Sequence, residues 1–564
     1  MAVLSVIAVY IILCVLQWHR LPIQDEIFFH RAAFKWAVGG PQADGLWHTP
    51  FYLEGLRIWQ KLFGIADPGR QGSVFILRSF GVFTGLLTAF LFLKGAKRKE
   101  GFLSSYPAIV LALLLLNPYF IQCSLLLDID NTLMIPALVL WVLAVLKWDD
   151  AKNGSWSQTV VIAFISAFAL MVKELTPLIL IPTWICYSFL RPWRKPAESS
   201  FTHIIQSIIG IILGLSLFAL VLIIWTQAHH MSWREPLELT LGKSKGKIGQ
   251  YTPWDVLGIV RWIFLSYLPL VWLQIPTLFF LTKMALEKIS AHKFFSIPLP
   301  FLFALAVYLC YSWLIQGSFY FAKYSAVVWP MLVLDFSMVI PLNLKKATEC
   351  LNELKNSKKF ILGFLFVWLF GICFFNCFEP LYIIEMRQDP NLNKLGWHFV
   401  SIALPIFLIL MGVKIIKYQE KGIQNAVVVF GIIVTFLGHS LSQATMDSPG
   451  YLFGEEGLAQ TIEEVKQLKI KISRGKPVLT TAVDVQWAFQ NDAKLLVFEK
   501  EDYLKILDQY DILVSRTYDN YSVRYNPQWL TDVNSRFRCH QVINLPRERF
   551  EWWWKPLAKC EEGL

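Results

Sequence analysis

The residues best suited to chemistry lie in one polar stretch, Gln24 to Phe63, which directly follows the first apolar segment. The stretch opens with two adjacent acids, Asp25 and Glu26, and carries His48 further on. Asp25 is placed to cap a helix, since an acid stabilises a helix N-terminus. A second acid beside it exceeds what a cap needs. We therefore interpret the stretch as the carrier of a catalytic carboxylate, with a plain cap as the alternative for Asp25.

Further ionisable and aromatic side chains stand at the ends of later apolar segments. They are Arg78, Asp128, Asp130, Lys173, Glu174, Tyr320, Lys323 and Tyr324. Ionisable groups at a membrane surface are costly to place there and tend to be functional. If they all lie on one side of a membrane, they form parts of a single site.

Metal ligation has little support in the sequence. Asp128 and Asp130 are two residues apart, and two such acids alone do not make a metal site. They suit a divalent metal and structural hydrogen bonding equally well. His48 has no second histidine nearby, which argues against zinc. No cofactor is therefore certain, and a divalent metal stays open.

The composition indicates a membrane protein. Of the 564 residues, 55% are hydrophobic and only 16% are charged, whereas about a quarter are charged in a soluble domain. Many apolar runs approach the roughly 20 residues that a helix needs to cross a bilayer. We predict a polytopic α-helical membrane protein with about 13 transmembrane helices. After Ala2–Leu16 they fall near Ser73–Leu93, Phe102–Phe120, Thr132–Leu146, Thr159–Val172, Pro177–Leu190, Ile204–Trp225, Val256–Leu281, Ile297–Ile315, Ser325–Pro341, Phe360–Asn376, Phe399–Ile416 and Ala426–Ser442.

The distribution of charge sets the predicted orientation. Alternate short loops are rich in lysine and arginine, which places them in the cytoplasm by the positive-inside rule. The N-terminus is then cytoplasmic, and every polar cluster named above lies on the outer face. One outer loop, residues 229–254, breaks the rule because it carries Lys243 and Lys245. Either a long outer loop tolerates these lysines without a function for them, or the lysines bind an anionic head group of the substrate. The net charge of +11 is spread over short loops, which argues against a nucleic-acid partner.

The chain changes character near Met446, which divides it into a membrane domain, residues 1–445, and a tail, residues 446–564. Alternating strand and helix patterns in the tail predict a small α/β domain on the extracytoplasmic side. Its predicted strands are Val478–Ala482, Lys494–Glu499 and Tyr510–Arg516. Cys539 and Cys560 are able to pair if the tail is extracytoplasmic, and the sequence does not decide whether they do. The aromatic run Trp552–Trp554 fits either the membrane interface or a soluble core, since tryptophan anchors both.

The first outer loop, residues 18–72, is predicted to hold two interfacial helices. The first runs from Asp25 to about Val38. The second begins with Thr49 as its N-cap and Pro50 at its first position, where a proline fits well. Its predicted membrane-facing stripe consists of Leu56, Trp59, Leu62 and Phe63.

The order of these motifs resembles the glycosyltransferase C (GT-C) superfamily, in particular its protein O-mannosyltransferase and lipid A aminoarabinose transferase group. The matching segments, between Met1 and Pro341, are Asp25-Glu26, Thr49-Pro50-Phe51-Tyr52, Arg78-Ser79-Phe80, Asp128 to Leu133, Met171 to Pro177, and Lys323-Tyr324 to Pro330. Thr49 departs from the pattern because it stands where the family often has a second proline. Lys323 stands where arginine is usual.

This resemblance implies an enzyme of the bacterial inner membrane that moves a sugar from a polyprenyl-phosphate carrier to an acceptor hydroxyl on the outer face. The acceptor would be a lipid, a glycan or a protein. The resemblance implies an inverting single displacement, with Asp25 as the base and Glu26 orienting the site or binding the acceptor. The implied donor-phosphate ligands are Arg78, Lys173, Lys323, Lys243 and Lys245. The implied substrate contacts are His48, Tyr52, Asp128, Asp130, Glu174, Tyr320 and Tyr324, with Asp128 and Asp130 as the option for a metal.

Two other interpretations stay open. A multi-span transporter or flippase of lipid-linked sugars would place polar residues near the membrane midplane, in broken helices. Here the middles of most predicted spans are apolar and the acids gather at one face. A membrane-anchored scaffold would act through its tail and would not require acids in the outer loops.

Overall fold

The structure is a computed structural model of the chain. It describes residues 2–16, 24–41, 48–64, 71–96, 107–116, 118–125, 132–151, 155–174, 176–191, 201–234 and 238, single positions between 299 and 334, and 477–480, 493–495, 509–515, 535–537, 539–544 and 549–554. The spans predicted at Val256–Leu281 and between Phe360 and Ser442 lie outside these residues.

Ten helices form the described part of the N-terminal half. They are α1 (Ala2–Leu16), α2 (Gln24–Gly39), α3 (Phe51–Leu62), α4 (Gln71–Ala96), α5 (Pro107–Leu115), α6 (Pro118–Leu125), α7 (Met134–Asp149), α8 (Trp156–Val172), α9 (Pro177–Phe189) and α10 (Phe201–Ala228). Most of the predicted spans in this half are therefore found as helices. The span predicted at Phe102–Phe120 differs, because two shorter helices, α5 and α6, replace it. Each of them begins at a proline, a residue that suits the first turn of a helix and disfavours its interior.

Two of the described helices are long and apolar enough to cross a membrane, at Ile76–Gly95 within α4 and at Phe201–Ala228. Shorter apolar helices are found at Val3–Val15, Trp156–Val172 and Ile179–Phe189. Along α10, Ile208, Ile212 and Ile224 are exposed. An exposed aliphatic face is what a helix presents to lipid, since lipid chains are as apolar as the side chains themselves.

Small residues let α4 pack closely against its neighbours. A Cβ atom added at Gly81 would lie 1.9 Å from the carbonyl oxygen of Ser124 in α6, and one at Gly85 would lie 2.3 Å from the hydroxyl of Tyr10 in α1. Gly81 and Gly85 are four residues apart and therefore share one face of the helix. This is the small-residue spacing that brings membrane helices into backbone contact.

Buried tryptophans join α7, α8, α9 and α10. Trp184 stands edge-on to Trp141 at 6.2 Å and to Trp148 at 5.7 Å between ring centroids. The indole N–H of Trp141 donates to Ser166 Oγ at 3.0 Å, and that of Trp148 donates to Gln206 Oε1 at 2.9 Å. Lipid offers no hydrogen-bond partner, so both polar groups are satisfied inside the protein.

The end of α7 carries a buried ion pair, on the side that the charge distribution assigns to the cytoplasm. Arg191 Nε donates to Asp149 Oδ1 at 3.1 Å, and the two side chains are 0% and 7% exposed. The hydroxyl of Tyr187 donates to Asp149 Oδ2 at 3.2 Å, and Arg191 Nη2 reaches the Ala151 carbonyl at 3.4 Å. Arg191 therefore fixes the end of α9 to the end of α7, besides adding to the positive charge of its loop.

The chain divides into two compact units. The first comprises Met1–Trp18, Ala32–Gly64 and Phe75–Thr445, and the second comprises His19–Arg31, Ile65–Val74 and Met446–Leu564. The second unit contains a sheet of five strands, β1 (Val478–Thr480), β2 (Ala493–Leu495), β3 (Asp511–Ser515), β4 (Cys539–Asn544) and β5 (Arg549–Trp554), in the order β2-β1-β3-β5-β4. Strands β2, β1 and β3 run parallel, whereas β5 is antiparallel to both β3 and β4.

The three predicted strands of the tail correspond to β1, β2 and β3 in the described residues. Strands β4 and β5 were not predicted. The run Trp552–Trp554, for which the membrane interface and a soluble core were both open, forms the end of β5, where Trp552 pairs with Leu513 and with Gln541. Aromatic residues favour strands as well as interfaces. Cys539 is disulfide-bonded, and Cys560 lies outside the described residues.

Candidate functional site

The start of α3 is docked on the end of α8. Thr49 was predicted to cap α3, but Pro50 occupies the cap position and makes no side-chain cap hydrogen bond. Instead, Thr49 Oγ1 donates to the carbonyl oxygen of Leu170 at 2.8 Å. That carbonyl is among the last four of α8, which have no partner within their own helix. Thr49 therefore serves the C-terminus of α8 rather than the N-terminus of α3.

Glu174, in the short connection between α8 and α9, also binds the segment His48–Thr49 that precedes α3. One of its carboxylate oxygens lies 2.7 Å from Nδ1 of His48, and the other accepts the backbone N–H of Thr49 at 3.3 Å. The side chain of Glu174 is only 7% exposed, whereas that of His48 is 28% exposed. Residues 126 positions apart in sequence thus form one polar junction.

Burial alone would raise the pKa of Glu174, because a charge is costly away from water. The interaction with His48 outweighs burial, and the neighbouring Lys173 adds to it, so that the pKa falls from 4.5 to about 2. Glu174 is therefore a carboxylate at neutral pH. Since a carboxylate can only accept hydrogen bonds, Nδ1 of His48 carries the hydrogen and Nε2 is the nitrogen that remains for a substrate.

Lys173 ends α8. Its backbone is extended, with φ −152° and ψ 125°, while its N–H still bonds to the carbonyl of Ala169. Its side chain is 4% exposed. The turn that follows is closed by Thr176, whose hydroxyl donates to the Lys173 carbonyl at 2.5 Å. Pro177 then begins α9, so a cation and an acid stand side by side at one helix junction.

Helix α3 also packs against α4, which carries Arg78. The indole N–H of Trp59 donates to Ser79 Oγ at 2.8 Å, and its ring meets Phe80 edge-on at 5.4 Å. Arg78 itself is 2% exposed, and Tyr52 of α3 is fully buried. The predicted membrane stripe of α3 is only partly exposed, because Leu62 and Phe63 are exposed but Leu56 is fully buried in the protein.

Asp25 and Glu26 belong to the second unit. Helix α2 begins at Gln24, so Asp25 lies in its first turn rather than at the cap position. Glu26, the next residue, is fully buried. The other predicted site residues, Asp128, Asp130, Lys243, Lys245, Tyr320, Lys323 and Tyr324, lie outside the described residues. Within the described part of the chain, no group of three or more histidine, cysteine, aspartate or glutamate residues is arranged to hold a metal ion.

Comparison with known proteins gives a fold-level match. The chain is similar to the crystal structure of ArnT from Cupriavidus metallidurans bound to undecaprenyl phosphate, with a TM-score of 0.56 and 13% identity over 98% of this chain and 97% of that one. It is similar to the apo structure of ArnT as well, with a TM-score of 0.55, 12% identity and 98% of each chain covered. ArnT is a GT-C lipid A aminoarabinose transferase. This chain has the GT-C fold.

The GT-C fold confirms the resemblance that the sequence motifs indicated, and with it a polytopic helical membrane protein. At this level of identity the likeness concerns the fold alone. No protein-family model matches the chain, and no curated protein matches it significantly. The number of thirteen spans and the extracytoplasmic position of the tail remain predictions.

One polar cluster in the described part of the chain was missed by the sequence analysis. It is centred on Glu54 of α3, which contacts Arg57, Trp225 and His229. From sequence, Glu54 and Arg57 look like an ordinary ion pair three residues apart on an exposed helix. The position of Trp225 and His229 at the end of an apolar helix was the signal available, but only the fold shows that they meet Glu54.

Proposed function

We propose that this protein is a membrane glycosyltransferase that moves a sugar from a polyprenyl-phosphate carrier to an acceptor hydroxyl on the extracytoplasmic face of the inner membrane. The observation that carries the proposal is the His48–Glu174 pair beside Lys173, placed in a fold shared with a protein whose crystal structure holds undecaprenyl phosphate. A lipid phosphate is an anionic leaving group, and this junction offers it cationic and hydrogen-bonding side chains.

The proposed reaction is a single displacement with inversion. The acceptor oxygen attacks the anomeric carbon while the bond from that carbon to the phosphate oxygen breaks, and the phosphate leaves with the electron pair. Asp25 takes the proton of the acceptor hydroxyl, as a base within hydrogen-bond reach would. Glu26 orients Asp25 or the acceptor. Support for this assignment comes from the motif order and from the place of Asp25 in the first turn of α2.

Charge on the leaving phosphate is balanced by cations. We propose Arg78 and Lys173 for this role, joined by Lys323, Lys243 and Lys245. His48 presents Nε2 to the phosphate, and Glu174 acts by holding the ring through Nδ1. Preorganised donors of this kind stabilise developing charge without reorganisation during the reaction. Tyr52, Asp128, Asp130, Tyr320 and Tyr324 are the remaining proposed substrate contacts, and Asp128 with Asp130 would be the place for a divalent metal.

The disulfide bond of Cys539 supports an outer location for the second unit. Disulfides persist in oxidising compartments and are rare in the cytosol. An outer tail and a cytoplasmic N-terminus agree with the odd number of predicted spans. The acceptor, whether lipid, glycan or protein, would then be met outside the cytoplasm.

The test is genetic and chemical. A deletion strain is complemented with wild-type protein, with Asp25→Asn, or with the matched control Asp150→Asn, whose side chain is exposed in the loop after α7. Mass spectrometry then compares glycolipids, glycans and glycoproteins. We expect Asp25→Asn to insert normally yet to leave the same unglycosylated product as the deletion, while Asp150→Asn restores the sugar. Full restoration by Asp25→Asn would contradict the assignment of the base.

A further inference from the structure

Glu54 lies at the centre of a polar cluster that the proposed mechanism does not use. Its Oε2 accepts the Nε–H of Arg57 at 2.6 Å and lies 2.6 Å from Nη2 of the same guanidinium. Its Oε1 accepts the indole N–H of Trp225 at 3.1 Å. Nε2 of His229 lies 3.5 Å from the same Oε1. Both carboxylate oxygens therefore have partners, and the side chain is 13% exposed.

These contacts join α3 to the end of α10. Trp225 belongs to the last turn of α10, and His229 is the first residue after the end of that helix. The ring of Trp225 lies between two others, since it stacks on Trp36 at 5.6 Å with 30° between the planes and lies 4.7 Å from the ring of His229. Trp36 is fully buried. The indole ring of Trp225, which donates to Glu54, is thus itself held by ring contacts with Trp36 and His229.

The turn that presents His229 is held in an unusual conformation. His230 has φ +57°, a left-handed value that residues other than glycine seldom adopt. The N–H of His230 bonds to the carbonyl of Gln227, and that of Met231 bonds to Thr226, which is the pattern of a Schellman cap. A strained residue in such a turn persists when its surroundings fix it. The two backbone hydrogen bonds fix this turn, and beside it Nε2 of His229 lies 3.5 Å from Glu54 without a hydrogen bond.

Helix α3 is consequently anchored at three successive places. His48 and Thr49 hold its start on the end of α8, Glu54 holds its middle on α10, and Trp59 holds its end on Ser79 of α4. A helix of this length spans only about 18 Å, so the middle contact lies within two turns of the start. The contact of Glu54 therefore adds to those that hold the start of α3, and its loss should leave residues 48–53 less firmly held.

We propose that Glu54 is a positioning residue, which holds α3 against α10 and thereby keeps His48 where it meets the phosphate of the donor. Glu54 acts through His48 and touches no reacting atom. The contact between His48 and the donor phosphate rests on the proposed function. The hold of Glu54 on the start of α3 rests on the contacts described above.

The experiment compares the full-length protein with Glu54→Ala, Trp225→Phe, the double variant and the conservative variant Glu54→Gln. Lys61→Ala is the matched control, since Lys61 is exposed near the end of the same helix. The first readout is amide hydrogen exchange at residues 48–53, which needs no substrate. The second is the affinity for undecaprenyl phosphate, measured by native mass spectrometry.

We expect faster exchange at residues 48–53 in Glu54→Ala and Trp225→Phe, and binding weaker by about tenfold, the factor for one lost hydrogen bond to a charged group. The double variant should be no worse than Glu54→Ala, because both changes remove the same contact. Glu54→Gln keeps an oxygen for Trp225 and should recover most of the affinity. Lys61→Ala should match the wild type.

Unchanged exchange at residues 48–53 in Glu54→Ala would overturn the positioning role, and so would losses that multiply in the double variant. Failure of the wild-type protein to bind undecaprenyl phosphate would instead contradict the proposed function and the claim that His48 meets the donor phosphate. The two failures are distinguishable, because the exchange measurement requires no lipid phosphate.

Discussion

Two of the acid–base pairs in the described part of the chain, Asp149–Arg191 and Glu174–His48, differ in how much of each pair is exposed. The Asp149–Arg191 pair at the end of α7 is closed, since its side chains are 7% and 0% exposed and Tyr187 takes the second carboxylate oxygen. The Glu174–His48 pair is half open, because the carboxylate is 7% exposed but the imidazole is 28% exposed. A closed pair can only hold segments together. A half-open pair also presents an oriented ring nitrogen to a ligand.

The largest expected effect comes from breaking the closed pair. Asp149→Ala leaves the Arg191 guanidinium buried without its counter-charge, which typically costs 3–5 kcal/mol, and we expect about that much here. The measurement is the thermal midpoint of the purified protein. Asp150→Ala, one position on, is the control. A normal midpoint for Asp149→Ala would show that the pair does not hold α7 and α9 together.

Breaking the Glu174–His48 pair should reduce activity more than stability. His48→Gln removes the oriented nitrogen, and we expect sugar transfer to fall by about 100-fold, as when one preorganised donor to a developing charge is lost. The thermal midpoint should fall less than in Asp149→Ala, because the glutamine amide can still donate a hydrogen bond to the Glu174 carboxylate. Lys61→Ala serves as the control on α3. If His48→Gln lost stability and activity in parallel, the two pairs would both be structural.

Acid should weaken the half-open pair. The folded-state pKa of Glu174 is lowered from 4.5 to about 2. A lowered pKa stabilises the folded state above the unfolded value and loses that effect as pH falls through the folded value. The stability advantage of wild type over Glu174→Gln should therefore be present above pH 4.5 and be lost as the pH falls towards 2, a change on the order of 3 kcal/mol. Midpoints of both proteins from pH 2 to 7 measure it, and a constant difference throughout would exclude the ionised pair.

The smallest effect is expected at the turn after α10. His230 has φ +57°, a conformation that glycine adopts without steric cost. His230→Gly should stabilise the protein by about 0.5–1 kcal/mol in thermal unfolding. Ala228→Gly, within the last turn of the same helix, should destabilise it instead. A loss of stability in His230→Gly would mean that the imidazole makes contacts that outweigh the backbone strain.

Local chemistry made much of this architecture predictable from the sequence. The proline at position 50 and the apolar pattern after it predicted α3, and the charge pattern placed His48 and Glu174 on one side of the membrane. Their contact was not predictable, because 126 residues separate them. Thr49 was misassigned for a similar reason, since the nearest unsatisfied backbone group belongs to α8 and not to its own helix. Glu54 was missed because its partners in α10 are 171 and 175 positions away.

The tail illustrates the same limit. Alternating apolar residues predicted β1 to β3, whose pattern is local. The run of three tryptophans fits both a membrane interface and a strand, and only the pairing of β5 with β3 and β4 distinguishes the two. Asp25 remains the part of the candidate site that rests most on motif order.

The most direct test of the proposed function is the stoichiometry of the reaction in proteoliposomes. Donor lipid extracted from the producing membranes is supplied with extracted acceptor, and polyprenyl phosphate release is measured against sugar transferred. The wild-type protein should release one polyprenyl phosphate for each sugar, with inversion at the anomeric carbon. Asp25→Asn should still bind undecaprenyl phosphate but release none. Movement of the lipid-linked sugar across the bilayer without release of polyprenyl phosphate would contradict the account.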